Sequence, residues 1–170
     1  MWTRRTMLAG SLAVAAAPAL CKPAAAKSTW FDTAIVIDGL GGLGDPYIEH
    51  PITRFSDRAF AEMQQTGVTV LRDTVMPVGN MADPWGEYRK AIGHALETFS
   101  ANPDRLVLIR SAADILKAKR EKKFGVVIGT QDTCMIGPEL DRVAEMKQDG
   151  VLTIQLTYNN GNLAGDGALE

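Results

Sequence analysis

The chain is short of the residues from which metal and disulfide frameworks are built. Two cysteines, Cys21 and Cys134, and two histidines, His50 and His94, are spread over 170 residues. That is too few for a self-contained Cys/His zinc cluster or a disulfide framework. Aromatic residues make up only 6% of the chain, and positive charge is not in excess: 18 Lys and Arg stand against 20 Asp and Glu, a formal net charge of -2. The sequence-independent attraction to phosphate backbones is therefore missing, so no nucleic-acid partner is expected. What is present is 46% apolar and 22% charged residues, which suits one compact core rather than a disordered or fibrous chain.

Residues 1–26 read as an export signal. Arg4 and Arg5 precede a short apolar run from Met7 to Ala17, and Ala24-Ala25-Ala26 offer a cleavage site before Lys27. Gly10 and Pro18 interrupt a run already shorter than the ~20 apolar residues that span a bilayer, so membrane contact is expected only during export. Thr3-Arg4-Arg5-Thr6-Met7-Leu8 resembles the twin-arginine motif, which carries folded proteins across the bacterial inner membrane. A periplasmic or exported location follows as an expectation. Cys21 leaves with the signal, so residues 27–170 retain Cys134 alone and cannot form an internal disulfide.

Beyond residue 27, short β-branched runs alternate with longer amphipathic ones. Continuous apolar runs at 34–38, 67–72, 105–110, 124–129 and 151–157 have strand length and read as strands buried on both faces. Helical patterns fall at about 55–66, 86–101, 111–122 and 138–149. Ser111 to Asp114 offers a cap for the third, Pro138 suits the first turn of the fourth, and Gly150 ends it. The alternation calls for a parallel α/β sheet covered by helices. Two architectures satisfy it: a five-stranded doubly wound open sheet, or the first five strands of a (β/α)8 TIM-type barrel, which typically needs ~250 residues. On the barrel reading, residues 27–170 are the amino-terminal part of a longer domain.

The loops at the strand ends carry the chemistry. Gly39-Leu40-Gly41-Gly42-Leu43-Gly44 matches the dinucleotide spacing G-x-G-x-x-G after a strand, but Asp45-Pro46-Tyr47-Ile48-Glu49-His50-Pro51 follows where a helix should open. A flexible glycine loop explains it better than NAD. The other strand ends supply Asp38, Arg72 and Asp73, Arg110 and Ser111, Gln131 and Asp132, and Tyr158, Asn159 and Asn160. Arg110 and Asp132 are the expected pair, a guanidinium for a substrate carboxylate and an acid to orient it, with a structural ion pair as the alternative. Gln131 and Asn159 are further candidates for substrate contact. Asp38 is also a natural turn-former before Gly39. His94 is spaced with Lys90 and Thr98 on an expected solvent face, and His50 precedes a proline; neither suggests a ligand. Cys134 has no histidine partner and reads as a small apolar filler.

Trp30-Phe31-Asp32 leading to Ile35-Val36-Ile37-Asp38-Gly39, the run Val126-Val127-Ile128-Gly129-Thr130-Gln131, and above all Gly150 to Asn162 with Gly165-Asp166-Gly167 resemble the amino-terminal half of the membrane (renal) dipeptidase family. The likeness covers most of residues 30–170, and its last block is the most specific. The resemblance implies a (β/α)8 barrel of the amidohydrolase type, two zinc ions, and a dipeptide or similar small amide as substrate; a homodimer is compatible with it.

Departures from the family pattern qualify that expectation. The family's first strand usually ends Asp-Gly-His-x-Asp, whereas Leu40-Gly41-Gly42 follow Asp38-Gly39 here. A bridging Glu is replaced by Gln131, whose neutral amide cannot balance two metal ions, and Asp132 stands next to it. The resemblance also implies a substrate-contacting His where Tyr158 stands; a phenol can still donate to a developing oxyanion. Tyr158 and Asp132 are thus the catalytic candidates, no metal ligand is assigned, and zinc is not supported by this half. A noncatalytic small-ligand-binding relative and an unrelated open-sheet module are the alternatives. For the signal, replacing Arg4 and Arg5 together by Lys is expected to leave the precursor in the cytoplasm, as read by fractionation; undiminished export of the double variant overturns the twin-arginine assignment.

Overall fold

The structure, a computed structural model, describes residues 30–49 and 51–170, so the signal segment, Cys21 and His50 lie outside it. The elements are α1 (Trp30–Thr33), β1 (Ile37–Asp38), α2 (Asp57–Gln65), β2 (Val70–Thr74), α3 (Pro84–Ala101), β3 (Leu106–Leu108), α4 (Ala112–Glu121), β4 (Phe124–Thr130), α5 (Asp141–Asp149) and β5 (Val151–Ile154). All strand pairings in the sheet are parallel. No helix among the described residues is long and apolar enough to cross a membrane.

Strand order does not follow chain order. β1 pairs β2, and β2 pairs β4 along its whole length, from Val70 opposite Gly125 to Thr74 opposite Gly129. The other edge of β4 is shared: β3 takes its first half and β5 takes Ile128 to Thr130, with a register shift at Ile128/Gly129. β3 is therefore not inserted between β2 and β4. Right-handed crossovers explain where the helices go. The connections through α2, α3 and α5 all advance across the sheet in one direction and lie on one face. The step from β3 back to β4 runs the other way, and α4 lies on the opposite face. Winding in one direction with helices on one face is the barrel pattern, interrupted once.

Three apolar clusters record this layering. Tyr88 and Ile92 of α3 and Met146 of α5 meet Ile128 and Val151. Ala59 of α2 meets Leu71, Leu106, Phe124 and Val126 on the same face. Across the sheet, Ala118 of α4 meets Val70, Val107 and Ile109. β4 is buried at every position except the half-buried Val127, as its apolar run suggests. β1 is not: Ile37 is 54% exposed and Asp38 is exposed as well, so the reading of all five runs as doubly buried fails there.

Helix ends differ from expectation in detail. Ser111 makes no bond to the free amides of α4; its hydroxyl donates to Asp114 Oδ2, which also accepts from the Arg110 amide. Pro138 lies in the turn before α5 rather than in its first turn, while Gly150 does end that helix, at φ +107°. Thr98, expected at the solvent face with His94, is buried, its hydroxyl 3.0 Å from the Ile52 carbonyl it donates to. Asn102 closes α3 and pins the chain before α2: its oxygen accepts from Phe55 N, and its amide donates to the Thr53 and Thr98 carbonyls, at 0% exposure. Truncation would strand these groups in the core. Asn102→Ala is expected to lower stability by about 2–4 kcal/mol, read as a lower urea midpoint at unchanged slope.

Candidate functional site

In a parallel sheet of this winding, ligands meet the carboxyl ends of the strands. Those ends hold one carboxylate that the surrounding chain encloses. Asp132, just past β4, is 1% exposed. Its Oδ1 accepts from Thr133 N at 2.7 Å, Cys134 N at 2.9 Å and Asn162 Nδ2 at 2.7 Å, and its Oδ2 from Gly79 N at 2.8 Å. One side chain thus ties the turn after β4 to the loops after β2 and β5. The Asn162 amide also donates to the Leu156 carbonyl, and its oxygen caps Ala164 N. A cleft of about 520 Å³ opens beside this clasp, lined among others by Asn80, Met81, Thr133, Cys134 and Leu163.

With three N–H donors on Oδ1 and one on Oδ2, Asp132 positions loops. Cys134 is half-buried in the cleft wall, and burial together with the nearby Asp132 charge pushes its thiol up. It stays protonated, and no histidine lines the cleft. Asp38 turns its own loop, Oδ1 accepting from Leu40 N at 3.0 Å. It shares the register of Leu71 and hence the helix-covered face. Asp73 lies on that face too; burial raises its carboxyl, partly offset by the amides of Leu43 and Thr74. Asp73 and His94 both line a 250 Å³ cavity between α3 and the sheet, which corrects the solvent-facing placement of that histidine.

The remaining expected residues do not gather into one cluster. Arg110 reaches the carboxyl end of α5, its guanidinium donating to the Gln148 and Asp149 carbonyls at 3.1 and 3.3 Å. It makes no bond to Asp132, so the expected Arg110–Asp132 pair is not formed; Arg110 serves as a cation at a helix carboxyl terminus. Gln131 is half-buried beside β4. Tyr158 is 39% exposed; its carbonyl and that of Asn159 accept from the amides of Ala168 and Leu169, which folds the segment after β5 back on itself. The side chains of Tyr158 and Asn159 remain turned to solvent.

One residue that the sequence placed only in the ring of polar strand ends has a specific seat. Arg72 in β2 crosses the face of the sheet opposite α2, α3 and α5, the face on which α4 packs against Val70, donating through Nε to Thr153 Oγ1 at 3.1 Å, through Nη1 to Thr74 Oγ1 at 3.4 Å, and through Nη2 to the Thr130 carbonyl at 2.5 Å. It passes over Gly129, where an added Cβ would stand 2.5 Å from Nε. The missing side chain at 129 was the available signal.

A sequence model of the membrane dipeptidases, peptidase family M19, matches residues 86–170, from α3 through the segment after β5. The chain belongs to the membrane dipeptidase family. Its members are metal-dependent dipeptidases. Among solved structures, this dipeptidase-family chain is similar to an amidohydrolase from Pseudomonas aeruginosa at 27% identity and a TM-score of 0.68, over 82% of this chain and 39% of that one. A structure described as dipeptidase AC, a metallopeptidase of family M19, shares the fold at 14% identity, TM-score 0.58, over 75% of this chain and 44% of that one. So does a metallopeptidase from Rhodobacter sphaeroides liganded with a phosphinate mimic of the dipeptide L-Ala-D-Ala, at 13% identity, TM-score 0.52, over 71% and 44%. No curated protein matches the chain. The chain spans about two fifths of the length of these solved relatives.

The family match makes the strand-end loops of this dipeptidase relative the place to test. An Asn at 132 keeps the shape but has one acceptor oxygen, and its NH2 would face one of four N–H donors. Asp132→Asn is expected to cost about 2–4 kcal/mol and to open the segment 157–167 to limited proteolysis. Wild-type stability and protection in that variant overturn the clasp.

Proposed function

We propose that this chain forms the amino-terminal part of an exported barrel hydrolase that acts on dipeptides or similar small amides. The observation that carries the reading is the family match over residues 86–170, which includes β4, β5, Asp132 itself and the loop after β5 that Asp132 holds through Asn162. Support for export is the Arg4-Arg5 signal pattern. On this reading the substrate lies over the carboxyl ends of the strands. Tyr158, exposed and with its hydroxyl free of partners among the described residues, donates to the oxygen of the amide under attack. Asn159 and Gln131 contact the substrate's backbone groups, and Asp132 holds the loops at fixed separation without itself exchanging a proton.

Zinc, which the family implies, is poorly served by the residues of this half. The positions expected to ligate carry Leu40, Gly42 and Gln131. Asp38 sits on the helix-covered face, and Asp132 has both oxygens occupied by N–H donors. Among the described residues no group of three or more His, Cys, Asp or Glu side chains is placed to hold a metal ion. Neutral amides and scattered carboxylates do not suit zinc, and no step is derived through it. The same neutral Gln131 and an Asp132 bonded to four N–H donors favour a second reading, a noncatalytic relative that binds a small ligand.

Incubation of the intact protein with L-Ala-L-Ala and L-Ala-D-Ala, followed by amino-acid analysis, separates the two. Release of free alanine that falls at least tenfold in Tyr158→Phe supports the hydrolase. Binding without release supports the noncatalytic relative. Elemental analysis is expected to give no more than one zinc per chain; two equivalents, both lost in Gln131→Ala, overturn the reading of this half as a poor metal site.

A further inference from the structure

The amino ends of the strands carry a concentration of positive charge that the composition of the whole chain hides. Lys117 to Lys123 holds five basic residues and one acid in seven positions, in a chain whose formal net charge is -2. The run closes α4 and leads into β4. Together with the turn from α2 into β2 it lines a cleft of about 680 Å³, at the opposite end of the strands from Asp132. Lys119, Lys122 and Lys123 come from the α4 side and the neutral Gln64 and Gln65 from α2; among the described residues no acid lines it. Gln64 Nε2 donates to the Lys122 carbonyl at 3.2 Å, which ties the two walls together.

The acid of the run does not neutralise the cleft. Glu121 lies 3.1 Å from the Lys123 ammonium and 3.8 Å from the Arg120 guanidinium. Among the described residues, Lys119 and Lys122 have no carboxylate within ion-pair distance. The helix dipole accounts for cations in the last turn of α4, where Lys119 and Arg120 stand. Lys122 is different. It follows that turn in the left-handed conformation, φ 55° and ψ 33°, and is the non-glycine residue with positive φ among the described residues. Glycine takes such a place without steric cost, as Gly150 does after α5. A lysine keeps the strain and adds an ammonium to the cleft, and strain of this kind gathers at ligand sites.

The chemistry of the walls selects the ligand. Ammonium groups are point charges with rotating donors, which suit phosphate oxygens, whereas a planar carboxylate is better matched by a guanidinium fork. The volume falls within the range of small-molecule sites, ~300–1,000 Å³, and Val68, Ala118 and Phe124 supply apolar lining that a bare phosphate would not use. We propose that the cleft between the ends of α2 and α4 binds a phosphate monoester with a small apolar body, its phosphate on Lys119, Lys122 and Lys123. The site is separate from the strand-end loops and does not depend on the dipeptide reading. The same phosphate group occurs on soluble esters and on lipid headgroups, so the probes must separate the two.

Calorimetric titration of the intact protein with phenyl phosphate, inorganic phosphate and benzoate makes the test, with co-sedimentation on phosphatidic acid vesicles as the lipid arm. Phenyl phosphate is expected to bind roughly tenfold more tightly than either of the other two anions. Lys122→Gly removes the ammonium and relieves the left-handed backbone. It is expected to raise the thermal midpoint while weakening phenyl phosphate binding at least fivefold, so the loss is not a loss of fold. Lys119→Gln is expected to weaken binding by a similar factor. Phenyl phosphate binding unchanged in both variants overturns the proposal and leaves the lysines as helix-terminal cations. Absence of saturable phenyl phosphate binding, or benzoate bound as tightly, overturns it too. Retention on the vesicles without binding of phenyl phosphate overturns the soluble ester and makes the cleft a lipid contact.

Discussion

Everything in this structure hangs on β4 having two edges and using both. One edge is given wholly to β2, the other is divided between β3 and β5. Right-handed crossovers then leave little choice: the advancing connections put α2, α3 and α5 on one face, and the single backward step puts α4 on the other. The division of layers and the three apolar clusters follow. β4 is accordingly the most evenly buried strand, and Gly125 and Gly129 sit where neighbours press closest on it.

Two charged groups on either side of the end of β4 are handled in opposite ways. Asp132 is taken out of water and given four N–H donors, which offset the cost of burying a carboxylate. Arg72 is given only neutral acceptors and stays half-exposed. The acid has become an internal fastener of loops, and the base ties β2 to β4 and β5. That departs from the arrangement family resemblance leads one to expect, in which acids and histidines at the strand ends create a demand for cations.

The fold class was legible because β-branched runs and helical periods are local signals, and both alternate cleanly after residue 27. Strand order was not, since it depends on which edge of β4 each neighbour finds. The exposure of Ile37 was missed because an apolar run does not say whether a second layer covers it. Asp132 was visible as a candidate, yet its role depends on Gly79 and Asn162, which are distant in sequence. Arg72 was seen only as one member of a polar ring; its meaning lies in the empty space at Gly129 and in a threonine on β5. His94 was misplaced because the helical period locates a face without saying how much of it the sheet will cover.

The Asp132 clasp also bears on the order of folding. Its bonds to Gly79 and Asn162 join positions 53 and 30 residues apart, and the bond from Arg72 to Thr153 spans 81. Closing such loops has an entropic cost that local contacts do not share. Helices and their adjoining strands can gain structure early, whereas the carboxyl-end loops wait until β2, β4 and β5 are side by side. The strand ends that define the site are thus expected to be the last region to become ordered, which would leave the nascent sheet for that interval without the loops that shape its binding end.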